Sequence, residues 1–262
     1  MKSITLPNNS SLLKKSFIFG TATSSFQIEG DIENRLECIW DKFCQREDAI
    51  ADGSNGDIAC DHINRWEEDL AILVNLGVDA YRFSISWPRV IDENGELIQR
   101  GVDFYLTLIN ALNDKGIKPF VTLYHWDLPQ HLEEKGGWLF RQTAFEFENY
   151  VDKITQALGE CVFSYATFNE PFCSAYLGYE IGVHAPGRVG RAKGRTAAHH
   201  ILLAHGLGMR VLRRNVPNCE AGIVLNFTPC YPATNKQSDV VATQKADEYI
   251  NLWYLQPVIE GT

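Results

Sequence analysis

Hydrophobic and polar positions follow two different rhythms along this chain, and the rhythms take turns. Short runs rich in β-branched and aromatic residues, SFIFGTATS, VDAYRFSIS, KPFVTLYHW, CVFSYATFN and AGIVLNFTP, read as strands. Longer amphipathic segments separate them. RWEEDLAILVNLG, from Arg65 to Gly77, carries Leu70, Leu73 and Val74 at helical spacing and ends in a glycine stop. DFYLTLINALNDKG ends the same way at Gly116, and a helix from about Thr143 to Leu158 ends at Gly159. A loop rich in Gly and Arg then precedes a fourth long helix, AAHHILLAHGLGMRVLRRN. A last helical segment is expected from about Ser238 to Val258.

Strand followed by helix, repeated at short intervals, predicts an α/β fold with a parallel sheet, of the (β/α)8 TIM-barrel type. The chain's 262 residues match the roughly 250 of a complete barrel. The number of units does not match. Five strands are legible, and nothing after AGIVLNFTP reads as three more. The expectation is one domain over residues 1–262, an incomplete barrel with about the first five βα units present and the last three missing from this chain.

Composition narrows the function classes. At 45% hydrophobic and 11% aromatic residues the chain can build a large core. No apolar run approaches the roughly 18 residues that would span a bilayer, and MKSITLPNNSSLLKKSFIFG lacks the features of a secretory signal. A cytoplasmic protein is expected. A net charge of −9, with no Lys/Arg cluster, argues against nucleic acid or a membrane surface as partner. Seven scattered cysteines without CxxC pairs read as reduced thiols, mostly buried. His199 and His200 are adjacent and so point to different helix faces, and His205 misses i, i+4 spacing from His200 by one residue. No metal is expected. No cofactor is expected either, since HAPGRVGRAKGR is not a phosphate loop of the GxxxxGK[ST] kind.

In a barrel of this type the site lies at the C-terminal ends of the strands. This sequence places there Gln27 and Glu29, Arg82 and Trp87, His125, Trp126 and Asp127, Asn169 and Glu170, and Asn226. Amides, an imidazole, indoles and carboxylates suit a polyhydroxylated ring, whose hydroxyls need donors and acceptors and whose C–H face packs on aromatics. Each residue alone has a plainer reading. A strand-end glutamate is more often a surface group, a histidine more often a satisfied core residue, and an arginine can be an internal ion pair. Gln27 alone could tie a loop, and Trp87 fits core packing better than ligand contact.

Taken together and in order, FIFGTATSSFQIEG, DHINRWEEDLAILVNLGVDAYRFSISWPR, VTLYHWDLPQHL, TFNEP and DEYINLWYLQPVIEG resemble the motifs of family 1 glycoside hydrolases, the retaining β-glucosidases and β-galactosidases. The resemblance implies a role for each matched position. Glu170 matches the general acid/base, and Asn169 the residue that binds the sugar 2-hydroxyl. Gln27 and His125 match positions that hold the 3- and 4-hydroxyls, with Trp126 beside them. Arg82 matches an arginine that lies against the nucleophile carboxylate and keeps it ionised. Glu29 and Asn226 lie near the site without a chemical role.

A retaining mechanism needs a second carboxylate about 5 to 5.5 Å from the first. In the resembling family it lies in a T/S-E-N-G segment on the seventh strand, and no such segment occurs here. The resemblance therefore implies hydrolysis of β-glucosides or cello-oligosaccharides, with this chain supplying the acid/base half of the site. A complementary C-terminal chain, or self-association, would cover the open barrel. Alternatives are a catalytically silent barrel that binds carbohydrate or protein, and a 6-phospho-β-glycosidase. A thioglucosidase is disfavoured, because those enzymes usually carry Gln where this chain has Glu170.

Overall fold

Each expected strand forms, and the five lie side by side in chain order. In the computed structural model, which describes residues 5–261, β1 (Gly20–Ala22), β2 (Ala80–Ser84), β3 (Lys118–Tyr124), β4 (Ser164–Asn169) and β5 (Glu220–Val224) make one sheet of order β1-β2-β3-β4-β5. Every neighbouring pair is parallel. Parallel neighbours cannot be joined by a tight turn, so a crossover must carry the chain back each time. The crossovers are α1 (His62–Leu76), α2 (Gln99–Asp114), α3 (Gln142–Leu158) and α4 (Arg191–Asn215). After β5 come α5 (Gln237–Asp247), a π-helical turn at Glu248–Leu252, and α6 (Trp253–Glu260). These are five consecutive βα units in the arrangement of a (β/α)8 barrel.

The glycine stops act as the pattern requires. Gly77 caps α1 with φ +66°, and Gly159 follows α3 with φ +56°, conformations in which a Cβ would be strained. The expected Gly- and Arg-rich loop before the fourth helix needs correction, because Arg191 to Thr196 are already helical. Gly194 is there for close approach rather than for a turn: a Cβ on it would sit 2.6 Å from Glu180 Cβ. The cysteine expectation also needs correction. All seven are free thiols, but only Cys38 is buried; Cys60 and Cys161 are exposed and the other four are intermediate. Cys60 lies in a turn ahead of α1 and Cys161 in a short turn after α3, where packing does not demand an apolar group.

The core lies between the sheet and α2, α3 and α4, and it is rich in aromatics. Trp87 stacks on Tyr150 of α3 at 5.0 Å between ring centroids, which makes it a core residue, the reading preferred for it over ligand contact. The polar tips of these rings are satisfied: Trp138 Nε1 donates to Tyr124 Oη (3.0 Å) and Tyr150 Oη to the Leu123 carbonyl (2.9 Å). The two outer strands are covered less. Gly20 and Ala22 of β1 are exposed, and β5 is at most half-buried along its length. Aromatics stand exposed beside both, Phe17 and Phe19 before β1 and Phe227 and Tyr231 after β5.

One buried ion pair ties the first two units together. Arg89, just after β2, donates through Nε to Glu29 Oε2 (3.0 Å), through Nη1 to Asp31 Oδ2 (3.1 Å) and through Nη2 to the Gly30 carbonyl (2.8 Å). Tyr105 of α2 donates to the other oxygen of Glu29. Glu29 is therefore a wall residue of the fold and has no place among sugar ligands. Replacing one partner of such a buried pair strands the other charge, at a cost of about 3–5 kcal/mol. Arg89→Met is expected to lower the unfolding free energy by that amount in urea titration, whereas Arg210→Met, which removes the exposed pair with Glu148, should change it by under about 1 kcal/mol.

Candidate active site

Asn169, the last residue of β4, is 4% exposed and joins residues from the ends of two other strands, β2 and β3. Its Oδ1 accepts a hydrogen bond from Arg82 Nη2 of β2 (2.7 Å). Its Nδ2 meets His125 Nε2 at 3.2 Å, and its backbone carbonyl accepts from Trp126 Nε1 (2.8 Å). Because the amide nitrogen can only donate, this pairing makes His125 Nε2 the acceptor and leaves the ring proton on Nδ1. Arg82 is held a second time, by Nε donating to Thr122 Oγ1 of β3 (3.0 Å). Sheet register explains the meeting: Arg82 pairs with Phe120 and Ser84 with Thr122, so β2 and β3 run level. An irregularity between Ala166 and Asn169 re-aims the end of β4 against β5.

The backbone is strained at the two places where the chain turns into this cluster. Trp126 has φ +79° and Glu170 φ +46°, the left-handed region that costs a non-glycine residue about 1–3 kcal/mol. Surrounding bonds hold the second turn. Glu170 N donates to the Val224 carbonyl of β5 (2.8 Å), and Cys173 N donates to the Glu170 carbonyl (2.9 Å). The Cys173 thiol donates to Glu170 Oε2 (3.3 Å). Burial, with the neighbouring Glu170 charge adding to it, pushes that thiol up to about 12, so it stays a donor. Glu170 itself is half-buried.

Gln27 reaches the same region from the short helix Ser25–Ile28 that follows β1. Ser24 Oγ donates to its Oε1 (2.7 Å), and its side-chain NH2 has no partner among the described residues. Gln27, His125 and Trp126 line a cleft of about 500 Å³ together with Phe26, Trp40 and His184, a size and an aromatic character suited to a small ligand. The rings run in series: Trp126 lies 5.0 Å from His125 and 5.5 Å from His184, and Trp40 lies 5.4 Å from His184. Trp40 rides on the helix Ile39–Cys44, whose start is fixed by Asp41 accepting from Cys38 N (2.7 Å) and from both terminal nitrogens of Arg35. Arg82, Asn169 and Glu170 do not line the cleft; hydrogen bonds through Asn169 connect them to His125 and Trp126, which do.

Burial, with the Arg82 charge adding to it, lowers the His125 imidazole to about 4, so the ring is neutral near pH 7. Burial also lowers the Arg82 guanidinium, and the Glu170 charge opposes that. Of the six residues expected to form the site, Arg82, His125, Trp126 and Asn169 share one hydrogen-bonded cluster. Glu170 adjoins Asn169 in sequence, and Gln27 stands on the cleft. Asn226 lies beyond the end of β5 and is half-buried. Sequence reasoning missed Thr122, Ser24, Trp40 and His184. Ser24 carried a signal, its i, i+3 spacing to Gln27, and Thr122 carried strand alternation; Trp40 and His184 reach the cleft only through tertiary packing.

His200 and His205 have separate partners, the Trp138 carbonyl (2.9 Å) and Thr167 Oγ1 (2.8 Å). Among the described residues no group of three His, Cys, Asp or Glu is placed to hold a metal, and no helix is long and apolar enough to cross a membrane. The one E-N-G in the chain, Glu93 to Gly95, sits in a turn whose Asn94 N donates to Asp92 Oδ1 (2.9 Å), with Glu93 exposed.

Comparison with known proteins agrees with this geometry. The sequence model for Glycosyl hydrolase family 1 matches residues 9–262. A β-glucosidase of Agrobacterium sp. is 44% identical over 94% of this chain and 54% of its own length. β-Glucosidase A of Acetivibrio thermocellus is 43% identical over 100% of this chain and 57% of its own. The crystal structure of a β-glucosidase from Exiguobacterium marinum superposes with a TM-score of 0.92 at 45% identity, over 95% of this chain and 57% of the other. The chain thus spans little more than half the length of the relatives it matches. With three of the expected residues gathered around a fourth, Asn169, and the family match running almost end to end, the chain belongs to glycosyl hydrolase family 1.

Proposed function

We propose that this chain supplies the acid/base half of a retaining β-glucosidase that removes terminal β-D-glucosyl residues from β-glucosides and cello-oligosaccharides. The observation that carries the reading is the Asn169 junction, which joins Arg82, His125 and Trp126 in one network immediately before Glu170. In this reading Glu170 protonates the glycosidic oxygen as the leaving group departs, then takes the proton of the attacking water. Asn169 donates to the 2-hydroxyl, and Gln27 and His125 hold the 3- and 4-hydroxyls. Trp126 supplies aromatic surface, and Arg82 faces the nucleophile. That nucleophile comes from polypeptide outside these 262 residues, which hold no T/S-E-N-G segment. The half-covered strands β1 and β5, with exposed Phe19 and Phe227 beside them, support a partner surface there. A cytoplasmic setting fits seven free thiols.

The test is hydrolysis of aryl β-glucosides with and without a polypeptide that carries a TENG-type segment. The chain alone is expected to give no turnover, and the assembled pair to give turnover. In the pair, Glu170→Gln should cost about 10²–10⁴-fold on poor leaving groups and much less on a nitrophenolate, which needs no protonation. Turnover by the chain alone that Glu170→Gln abolishes would sink the two-part reading. Glucose binding with no turnover in any assembly would point to a binding module.

His125 gives a pH prediction. Its folded value of about 4 lies below the ordinary 6.5, so the stability carried by the neutral ring is present above pH 6.5 and is lost as pH falls through 4. Glucose affinity, followed by calorimetry, should be flat from pH 7 to 5 and fall as pH approaches 4. In His125→Gln, thermal unfolding should depend less steeply on pH between 6.5 and 4 than in the wild-type chain, by up to about 3 kcal/mol over that window; Asp127 and His205, also shifted there, keep the remainder.

A further inference from the structure

Beneath the cleft runs a second line of polar groups that the proposed chemistry does not use. Ser25 N donates to Ser84 Oγ (2.7 Å), Ser84 Oγ donates to Ser25 Oγ (3.0 Å), and Ser25 Oγ donates to Asp127 Oδ2 (3.0 Å). All three side chains are buried, Asp127 to 1% exposure. The other carboxylate oxygen, Oδ1, has no partner among the described residues. Glu29 and Arg35 are the charged groups that act on it, and its own charge acts in turn on Cys38, Tyr124 and Tyr150, adding to burial in raising all three. Burial, with Glu29 adding to it, raises the Asp127 carboxyl to about 6.

A buried carboxyl with one oxygen unpaired is a costly way to fill volume, and an apolar side chain would do that better. The line has a different property: each member lies next to a residue of the candidate site. Ser25 opens the helix that carries Gln27, Ser84 follows Arg82 by two positions on β2, and Asp127 follows His125 and Trp126. Asp127 also anchors the far side of the left-handed turn at Trp126. Rigid support behind a binding cluster is what holds ligand groups in register.

We propose that Asp127 is a positioning residue for the sugar cluster: through Ser25 and Ser84 it fixes Gln27, after β1, relative to His125 and Trp126, after β3. Without the carboxyl the strained turn at Trp126 relaxes, His125 loses its buried place against Asn169, and the hydroxyl-binding groups no longer converge. The inference deepens the glucosidase reading and rests on it for the identity of the ligand.

The experiment titrates the His125 ring by NMR in the isotope-labelled full chain and measures D-glucose binding in parallel. In Asp127→Ala the His125 value is expected to rise from about 4 to above about 5, as water reaches the ring. Loss of a nearby negative charge alone would move it the other way. Glucose affinity should fall by about 10-fold or more, the equivalent of one good hydrogen bond to a polar ligand, and Asp127→Asn, which keeps shape and acceptor, should restore both. Where Asp127→Ala does not fold, Ser25→Ala removes only the bridging hydroxyl and should shift His125 in the same direction. An unchanged His125 titration in a folded Asp127→Ala or Ser25→Ala chain overturns the proposal. Absence of glucose binding by the wild-type chain would count against the sugar reading, while the His125 titration would still decide whether Asp127 positions the ring.

Discussion

Asn169 has one amide nitrogen, one amide oxygen and one backbone carbonyl to offer, and all three are used on residues from other strands. Arg82 arrives from β2, and His125 and Trp126 arrive from the end of β3. A shift of β4 by one residue would turn the amide to the other face of the sheet, and the three partners would be left without a common atom. The register of a parallel sheet is thereby converted into the geometry of a site. The same bonds set the chemistry of the partners. Because Asn169 donates to His125 Nε2, the pairing requires a neutral imidazole, and burial keeps it so.

Two strained residues, Trp126 and Glu170, stand on either side of that junction. Neither conformation would persist in an isolated segment, since each costs more than a typical surface hydrogen bond returns. The sheet supplies the constraint at Glu170, through the Val224 carbonyl of β5. At Trp126 it comes from the indole bond to Asn169 and from the buried carboxyl that follows. The Arg89 and Glu29 pair acts one layer further out, locking the first two βα units so that the short helix bearing Gln27 has a fixed base. Polar groups thus organise the mouth of the sheet, while the aromatics around Trp87, Trp138 and Tyr150 supply the cohesion.

Much of this was legible in the chain. Alternating strand and helix periodicity predicts five βα units because period-2 and period-3.6 patterns cannot bury the same face, and all five form. Gly77 and Gly159 mark helix ends because few other residues tolerate their backbone angles. Gly194 misled for the same reason: glycine also permits close packing, and only the contact with Glu180 distinguishes the two uses. The cysteines misled because their usual burial is a tendency of the residue, whereas exposure depends on where the chain passes.

The sequence by itself determined the family, since Arg82, His125, Trp126, Asn169 and Glu170, the candidate site residues, stand at strand ends in an order that resembles it. Tertiary structure alone decided which of them touch. It paired Glu29 with Arg89, brought Trp40 and His184 to the cleft from distant segments, and placed Asp127 beneath the cluster with one oxygen that has no partner among the described residues. The reason is physical: periodicity and local strain are properties of neighbours along the chain, but hydrogen bonding and burial depend on groups tens of residues away, whose approach only the packed sheet fixes.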